Sequence, residues 1–171
     1  SVSPAQDLEP EYITIAPHSR YAYVSLQENN ALACLDIKRA KVKWVRGLGQ
    51  KDHGLPGNGL DASDKDDTIN IANWPVFGMY MPDAIAAFKA KGKTFIITAN
   101  EGDARDEDER IKDLDLDPVA FPDAADLQKK KNIGRLEVSA IDGDLDNDGD
   151  YDELHAYGAR SFTIWDSKGN F

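Results

Sequence analysis

Between residues 12 and 48 the chain passes through four short β-forming runs separated by tight turns, and this succession constrains the fold more than any other feature. Residues 12–16 are β-branched and aromatic and stop at Pro17; residues 21–26 follow a His18-Ser19-Arg20 turn; residues 31–37 and 42–48 follow further turns. Such residues favour a pleated, half-buried surface. Strands joined by connections this short pair antiparallel, as a meander. Four strands in about 40–45 residues have the size of one propeller blade.

Further along, residues 49–82 are rich in glycine and proline yet hold Trp74, Phe77, Met79, Tyr80 and Met81, too apolar for a solvated linker, so an ordered flap is expected. A second strand pair is predicted at 83–88 and 94–100, around the Lys91-Gly92-Lys93 turn. Residues 101–132 are charged. Within them, 122–131 suits a short helix: Pro122 at its start, acids early and lysines late, matching the helix dipole. Strands resume at 135–140, 154–157 and 161–165. The expectation is an all-β chain: a single domain over 1–171, a partial β-propeller of about two blades plus the start of a third, with long loops and one short helix. Blade 1 is placed at about 8–48, the long loop at 49–82, blade 2 at about 83–157 with an insertion at 101–132, and the next blade from 159 to 171.

Composition narrows the partners. The 31 acidic residues against 20 basic ones leave a formal net charge of −11, which argues against nucleic acid and favours cations. Apolar residues make up 41%, enough for a core. No apolar run approaches the ~20 residues of a membrane-spanning helix. The one cysteine, Cys34, sits among apolar neighbours and reads as a packed core thiol. The start, Ser1-Val2-Ser3-Pro4, has no initiator Met and no basic, apolar leader, and reads as a processed or excised segment that a signal peptide could have preceded.

An internal repeat gives the blade reading a chemical consequence. Glu11 aligns with Asp83 and Glu28 with Glu101, at separations of 17 and 18 residues, and a third copy places Arg160 where Glu11 and Asp83 stood. The start of one strand lies beside the end of its antiparallel neighbour. In a propeller, therefore, these four acids would converge on one mouth of the central channel. Converging carboxylates repel unless a cation or an arginine lies among them. A second divalent cation is expected there, with Asn29, Asn100 and Asp103 as further oxygen ligands and with Arg105 and Arg160 holding an anionic substrate. Satisfied polar residues at strand ends are the plain alternative.

The sharpest local motif is Asp144-Leu145-Asp146-Asn147-Asp148-Gly149-Asp150-Tyr151-Asp152. Alternate acids ahead of a glycine turn let one loop wrap a hard cation with oxygen ligands, so Asp144, Asp146, Asp148, Asp150 and Asp152 are predicted to bind Ca²⁺. The twelfth position is His155, not the glutamate of an EF-hand, so the loop is EF-like and lies between strands. A weaker echo, Asp61 to Asp67, lacks the glycine pivot. Asp106 to Glu109 reads as a solvated charge run, and His53 as a structural histidine in a loop. No nucleophile triad, phosphate loop or zinc spacing is present in the sequence.

Several longer strings carry a resemblance: Leu8-Glu9-Pro10-Glu11-Tyr12-Ile13, the run 23–32, the run 55–64, Asn73-Trp74-Pro75-Val76-Phe77-Gly78-Met79-Tyr80, Pro82-Asp83-Ala84-Ile85-Ala86, the run 98–105 and the run 158–165. Together they resemble the choice-of-anchor I family, alkaline-phosphatase-like secreted bacterial proteins related to mesenchyme-specific cell-surface glycoproteins. The resemblance implies a β-propeller and a secreted, periplasmic or cell-surface location. It also implies a longer parent protein, so the edge strands would need the remaining blades or other chains of the same protein. It transfers no catalytic set. Two functions are expected on this basis. One is a calcium-binding module that meets mineral, polysaccharide or another protein. The other is a metal-dependent phosphoesterase acting on a phosphate ester, in which Glu11, Glu28, Asp83 and Glu101 hold the cation while Arg105 and Arg160 steady the phosphate.

Overall fold

The computed structural model describes Ser3 and residues 7–171; the rest of the N-terminal run discussed above lies outside the described residues. Strands follow in chain order as β1 (Ile13–Ile15), β2 (Tyr21–Leu26), β3 (Ala31–Asp36), β4 (Lys41–Gly47), β5 (Gln50–Asp52), β6 (Leu60–Asp61), β7 (Ile71–Ala72) and β8 (Phe77–Met79). The remainder are β9 (Ile85–Ala90), β10 (Lys93–Asn100), β11 (Asp108–Arg110), β12 (Glu137–Ser139), β13 (His155–Tyr157) and β14 (Ser161–Asp166), together with a short α-helix, α1 (Ala124–Leu127). The chain is thus mostly β, and it divides into two units. The first comprises 1–49, 79–103 and 158–171; the second comprises 50–78 and 104–157.

In the first unit, β1 to β4 form an antiparallel sheet in chain order. Strands β2 and β3 are buried nearly throughout, which is why their sequences are continuously apolar rather than alternating. The edge strand β4 carries Lys41, Lys43 and Arg46 on an exposed run, charges that discourage edge-to-edge pairing. A second sheet has the order β14-β10-β9. The two sheets share one core, in which Tyr23, Leu32, Cys34 and Leu48 meet Ile85, Ile96 and Trp165. Two hydroxyls stitch the seam: Ala87 N donates to Thr14 Oγ1 at 2.9 Å, and Ser25 Oγ donates to Asp83 O at 3.1 Å.

The internal repeat is visible in the backbone. Glu11 N donates to Ser25 O at 3.1 Å and Ser25 N to Tyr12 O at 2.9 Å; in the same way Asp83 N donates to Ala99 O at 3.1 Å and Ala99 N to Ala84 O at 3.0 Å. Glu11 therefore corresponds to Asp83, and Ser25 to Ala99. The correspondence continues across the sheets. Leu32, Cys34 and Asp36 stand opposite Ser25, Tyr23 and Tyr21, while Phe162, Ile164 and Asp166 stand opposite Ala99, Ile97 and Phe95.

This register corrects the sequence reading at the C-terminal end. Residues 161–166 do not open a further blade; β14 is the third strand of the second sheet, the counterpart of β3. Arg160 accordingly corresponds to Asn30 and not to Glu11 or Asp83, and both Arg160 and Asn30 adopt positive φ, 46° and 47°. The free edge of β10 needs hydrogen-bond partners, and the chain supplies them only after a long excursion. That excursion, together with the expected flap, builds the second unit. Its five-stranded sheet has the order β11-β12-β13-β8-β5, with β6 and β7 paired separately. So 104–157 belongs with 50–78 rather than with 83–100, and the flap contains strands. Of the helix expected at 122–131 only Ala124–Leu127 is α-helical, held by Leu127 on a core with Ile111, Phe121, Ile133 and Val138.

Candidate metal centre

Local backbone demands shape the acidic loop of the second unit. Gly143 (φ +112°) accepts at its carbonyl from Asp152 N at 2.8 Å and Glu153 N at 3.1 Å, closing the loop at its base. A Cβ on Gly143 would lie 2.3 Å from Glu153 O, so only glycine fits. Asn147 and Gly149, both at positive φ, turn the tip. The aspartates then cap backbone N–H groups: Asp144 Oδ1 accepts from Asp148 N (3.2 Å), Asp144 Oδ2 from Gly149 N (3.1 Å), and Asp152 Oδ2 from Leu145 N (2.8 Å). Tyr151 anchors one flank by donating to Ala140 O at 3.0 Å.

These bonds bring acids together. One ligand atom each from Asp144, Asp146 and Asp152 lie within 4.8 Å of one another, and so do those of Asp117, Asp150 and Asp152. Oxygens held about 2.4 Å from a shared Ca²⁺ can be at most ~4.8 Å apart, so both groups have the compactness and the all-oxygen donor set of a hard-cation site. Each carboxylate oxygen has two acceptor positions, so the backbone bonds leave capacity for an ion. The electrostatics point the same way. Its neighbour Asp148, and then burial, hold the Asp146 carboxyl above its ordinary range. Burial first, then Asp148, Asp117, Asp152 and Asp115, push Asp150 up to about 6. A cation would relieve both.

Of the five predicted ligands, Asp148 belongs to neither group; it accepts from Asp150 N at 3.2 Å and shapes the turn. The sequence reading missed Asp117. It arrives through a backbone exchange in which Tyr151 N donates to Asp115 O (2.9 Å) and Asp117 N donates to Tyr151 O (3.1 Å). The alternation Asp113-Leu114-Asp115-Leu116-Asp117 was the available signal: one strand-like face of acids, with Leu116 on the other side buried in the core. His155, at the twelfth loop position, is spent elsewhere. Its ring nitrogens face Gln50 Oε1 (2.8 Å) and Glu153 Oε2 (3.2 Å), and it stacks on Phe77.

The remaining candidates fall as follows. Glu11 and Asp83 occupy equivalent positions and their strand starts adjoin through Ser25, but Glu28 and Glu101 are one residue out of step, because Glu101 corresponds to Gln27 by register. Glu11 and Glu101 are exposed, Glu28 and Asp83 half-buried, and none of the four belongs to either group of converging acids among the described residues. Asn100, expected as a ligand, is buried in a hydroxyl network, donating to Thr163 Oγ1 (2.7 Å) and Ser161 Oγ (3.0 Å) and accepting from Thr98 Oγ1 (2.7 Å). Asn29 donates to Asp7 O at 2.6 Å, and Asp103 is exposed. Arg105 lies in the second unit, 3.8 Å from Glu107; Arg160 is exposed at the start of β14. His53 is buried with Nδ1 2.6 Å from Asn58 O, which makes Nδ1 the donor and the residue a loop organiser.

No helix among the described residues is long and apolar enough to cross a membrane. No curated protein and no solved structure matches the chain. The family model of the choice-of-anchor I domain matches residues 1–170, nearly the whole length. The chain therefore belongs to the choice-of-anchor I family.

Proposed function

We propose that this chain is a module of a secreted or cell-surface protein, a partial β-propeller that binds Ca²⁺ through its acidic loop and works by binding or structural support rather than by catalysis. The observation that carries the reading is the convergence of Asp144, Asp146 and Asp152 within 4.8 Å, adjoined through Asp152 by Asp117 and Asp150. A bound ion would lock the loop between β12 and β13 and stiffen the second unit. The acidic surplus concentrated in that unit then offers a face to mineral, polysaccharide or a partner protein through shared cations. The repeated hydrogen-bond pattern of the first unit's two sheets supports the propeller part of the reading. The phosphoesterase alternative needs Glu11, Glu28, Asp83 and Glu101 to share one cation, and no observation favours it.

Calorimetric titration with Ca²⁺ tests the proposal. Binding is expected in the native chain and its loss in Asp144→Asn/Asp146→Asn. An absence of binding heat, together with a melting temperature that chelator does not move, would sink it.

A further inference from the structure

Four turns of the first unit share one end. The bonds from Ala87 N to Thr14 Oγ1 and from Ser25 Oγ to Asp83 O set β1 and β9 side by side, pointing the same way, and antiparallel pairing gives β3 and β14 that direction too. The turns at 16–20, 37–40, 90–93 and 166–170 therefore emerge together, and Ile37 N ties the first two by donating to Arg20 O at 3.0 Å. The first sheet places Arg20, Lys38, Arg39 and Lys41 at this end; the second places Lys89, Lys91, Lys93 and Lys168 there. All are exposed. Lys38 and Lys168 are counterparts, each two residues beyond a strand-ending acid, Asp36 or Asp166, that register makes equivalent. Both acids are occupied as turn caps: Asp36 Oδ1 accepts from Arg39 N at 3.0 Å and Asp166 Oδ1 from Lys168 N at 2.7 Å. Among the described residues, the one ion pair of these cations joins Arg39 to Asp36, at 3.7 Å. A cavity of about 440 Å³ opens among Arg20, Asp36, Lys38 and Arg39.

The opposite end of the unit carries Glu11, Glu28, Asp83 and Glu101, so a chain of net charge −11 still presents one basic end. Its cations stand on turns two strands apart within a sheet, or one sheet apart, which is about 10 Å in either direction. One small anion does not bridge that distance, so the partner needs anionic groups repeated along its length. Six of these eight cations are lysines, compact point charges that read charge rather than the fork geometry of a bidentate group. We propose that this end binds an acidic polysaccharide, whose carboxylate or sulfate groups meet the turn lysines while one anionic sugar enters the cavity between Arg20 and Arg39. The contact is direct and needs no calcium, unlike the acidic face of the second unit, which repels a polyanion unless cations are shared. The turns lie at strand ends, so sheets stacked on either outer face of the unit leave them open.

Calorimetric titration of the full chain with heparin, a sulfated uronate polymer, in chelator and low salt tests this. Binding is expected, and it should weaken steadily as salt rises. Lys38→Glu/Lys168→Glu and, independently, Lys89→Glu/Lys91→Glu should each lower the affinity by about tenfold or more. Lys130→Glu/Lys131→Glu, in the second unit, should leave it unchanged. The melting temperature checks that each variant is folded, and the matching Lys→Gln pair replaces any that is not. No binding to heparin, or binding that both first-unit variants leave intact, would overturn the proposal. Equal binding of polyglutamate or of phosphatidylglycerol vesicles would overturn it as well, by assigning the end to a different class of partner.

Discussion

Arg135 grips Asp64 with two N–H···O bonds, Nε to Oδ1 at 2.5 Å and a terminal nitrogen to Oδ2 at 3.1 Å, across 71 residues of sequence. The acidic echo at Asp61 to Asp67 thus carries a paired guanidinium at its centre. The Arg135 hydrogen bonds hold the Asp64 carboxyl down at about 2. A depressed carboxyl stabilises the fold above its unfolded value, near 4, and that contribution disappears as pH falls through about 2. Urea denaturation of the native chain and Asp64→Asn should show a small stability difference at pH 7 that narrows between about pH 4 and pH 2. A difference that is constant with pH would assign Asp64 no ionic role.

The acidic loop predicts a reversal of sign. Without cation, Asp144→Asn/Asp146→Asn relieves carboxylate repulsion and should raise the melting temperature of the chain. With Ca²⁺ at about 100 times its dissociation constant the native chain gains about 2.7 kcal/mol, and the variant gains nothing. Paired melting curves in chelator and in calcium read both effects. A variant less stable than the native chain under both conditions to the same extent would mean that the carboxylates serve only as turn caps.

Gly158 should be irreplaceable. It adopts φ +82°, and a Cβ there would fall 1.9 Å from the carbonyl oxygen of Glu101. Gly158→Ala combines left-handed backbone strain with a backbone clash and should cost about 2–5 kcal/mol. Gly47 is the control: it has no positive φ, a Cβ added there would meet nothing within 4 Å, and Gly47→Ala should be close to neutral. Chemical denaturation of both variants checks the contrast.

Asn100 is predicted to matter for stability and not for metal binding. With Thr98 and Thr163 it forms a buried network that also receives Trp165 Nε1 at 3.0 Å on Thr98 Oγ1. Asn100→Leu removes the acceptor of the Thr98 hydroxyl and the donor to Thr163 Oγ1, and should cost about 1–3 kcal/mol. Calorimetry should find its Ca²⁺ affinity unchanged. A weakened affinity would return Asn100 to the ligand set.

Much of the first sheet was legible because its information is local. Each of its turns joins strands adjacent in sequence, so the apolar runs at 21–26 and 31–37 announce both strand and pairing. The acidic loop was legible for the same reason: the spacing of acids and glycine within one loop is a sequence property. Three features were not. The place of 161–166 depends on which edge remained unpaired after β10, a question no local pattern answers. The slip between Glu28 and Glu101 depends on register, which a difference of one residue, 17 against 18, conceals. Asp117 depends on a backbone exchange with Tyr151 from a different part of the chain.

The sequence by itself determined an all-β chain, the strand segments of its first unit, the acidic loop and the family, because propensity, turn chemistry and the spacing of acids act over a few residues. Tertiary structure alone decided that the chain divides into two units whose segments alternate along it, that β14 completes the second sheet, and that Asp117 joins the loop's acids. Those outcomes rest on hydrogen-bond partners and buried faces that meet only once distant segments are packed. A backbone edge or an apolar face is satisfied by whatever arrives in space, not by what comes next in the chain.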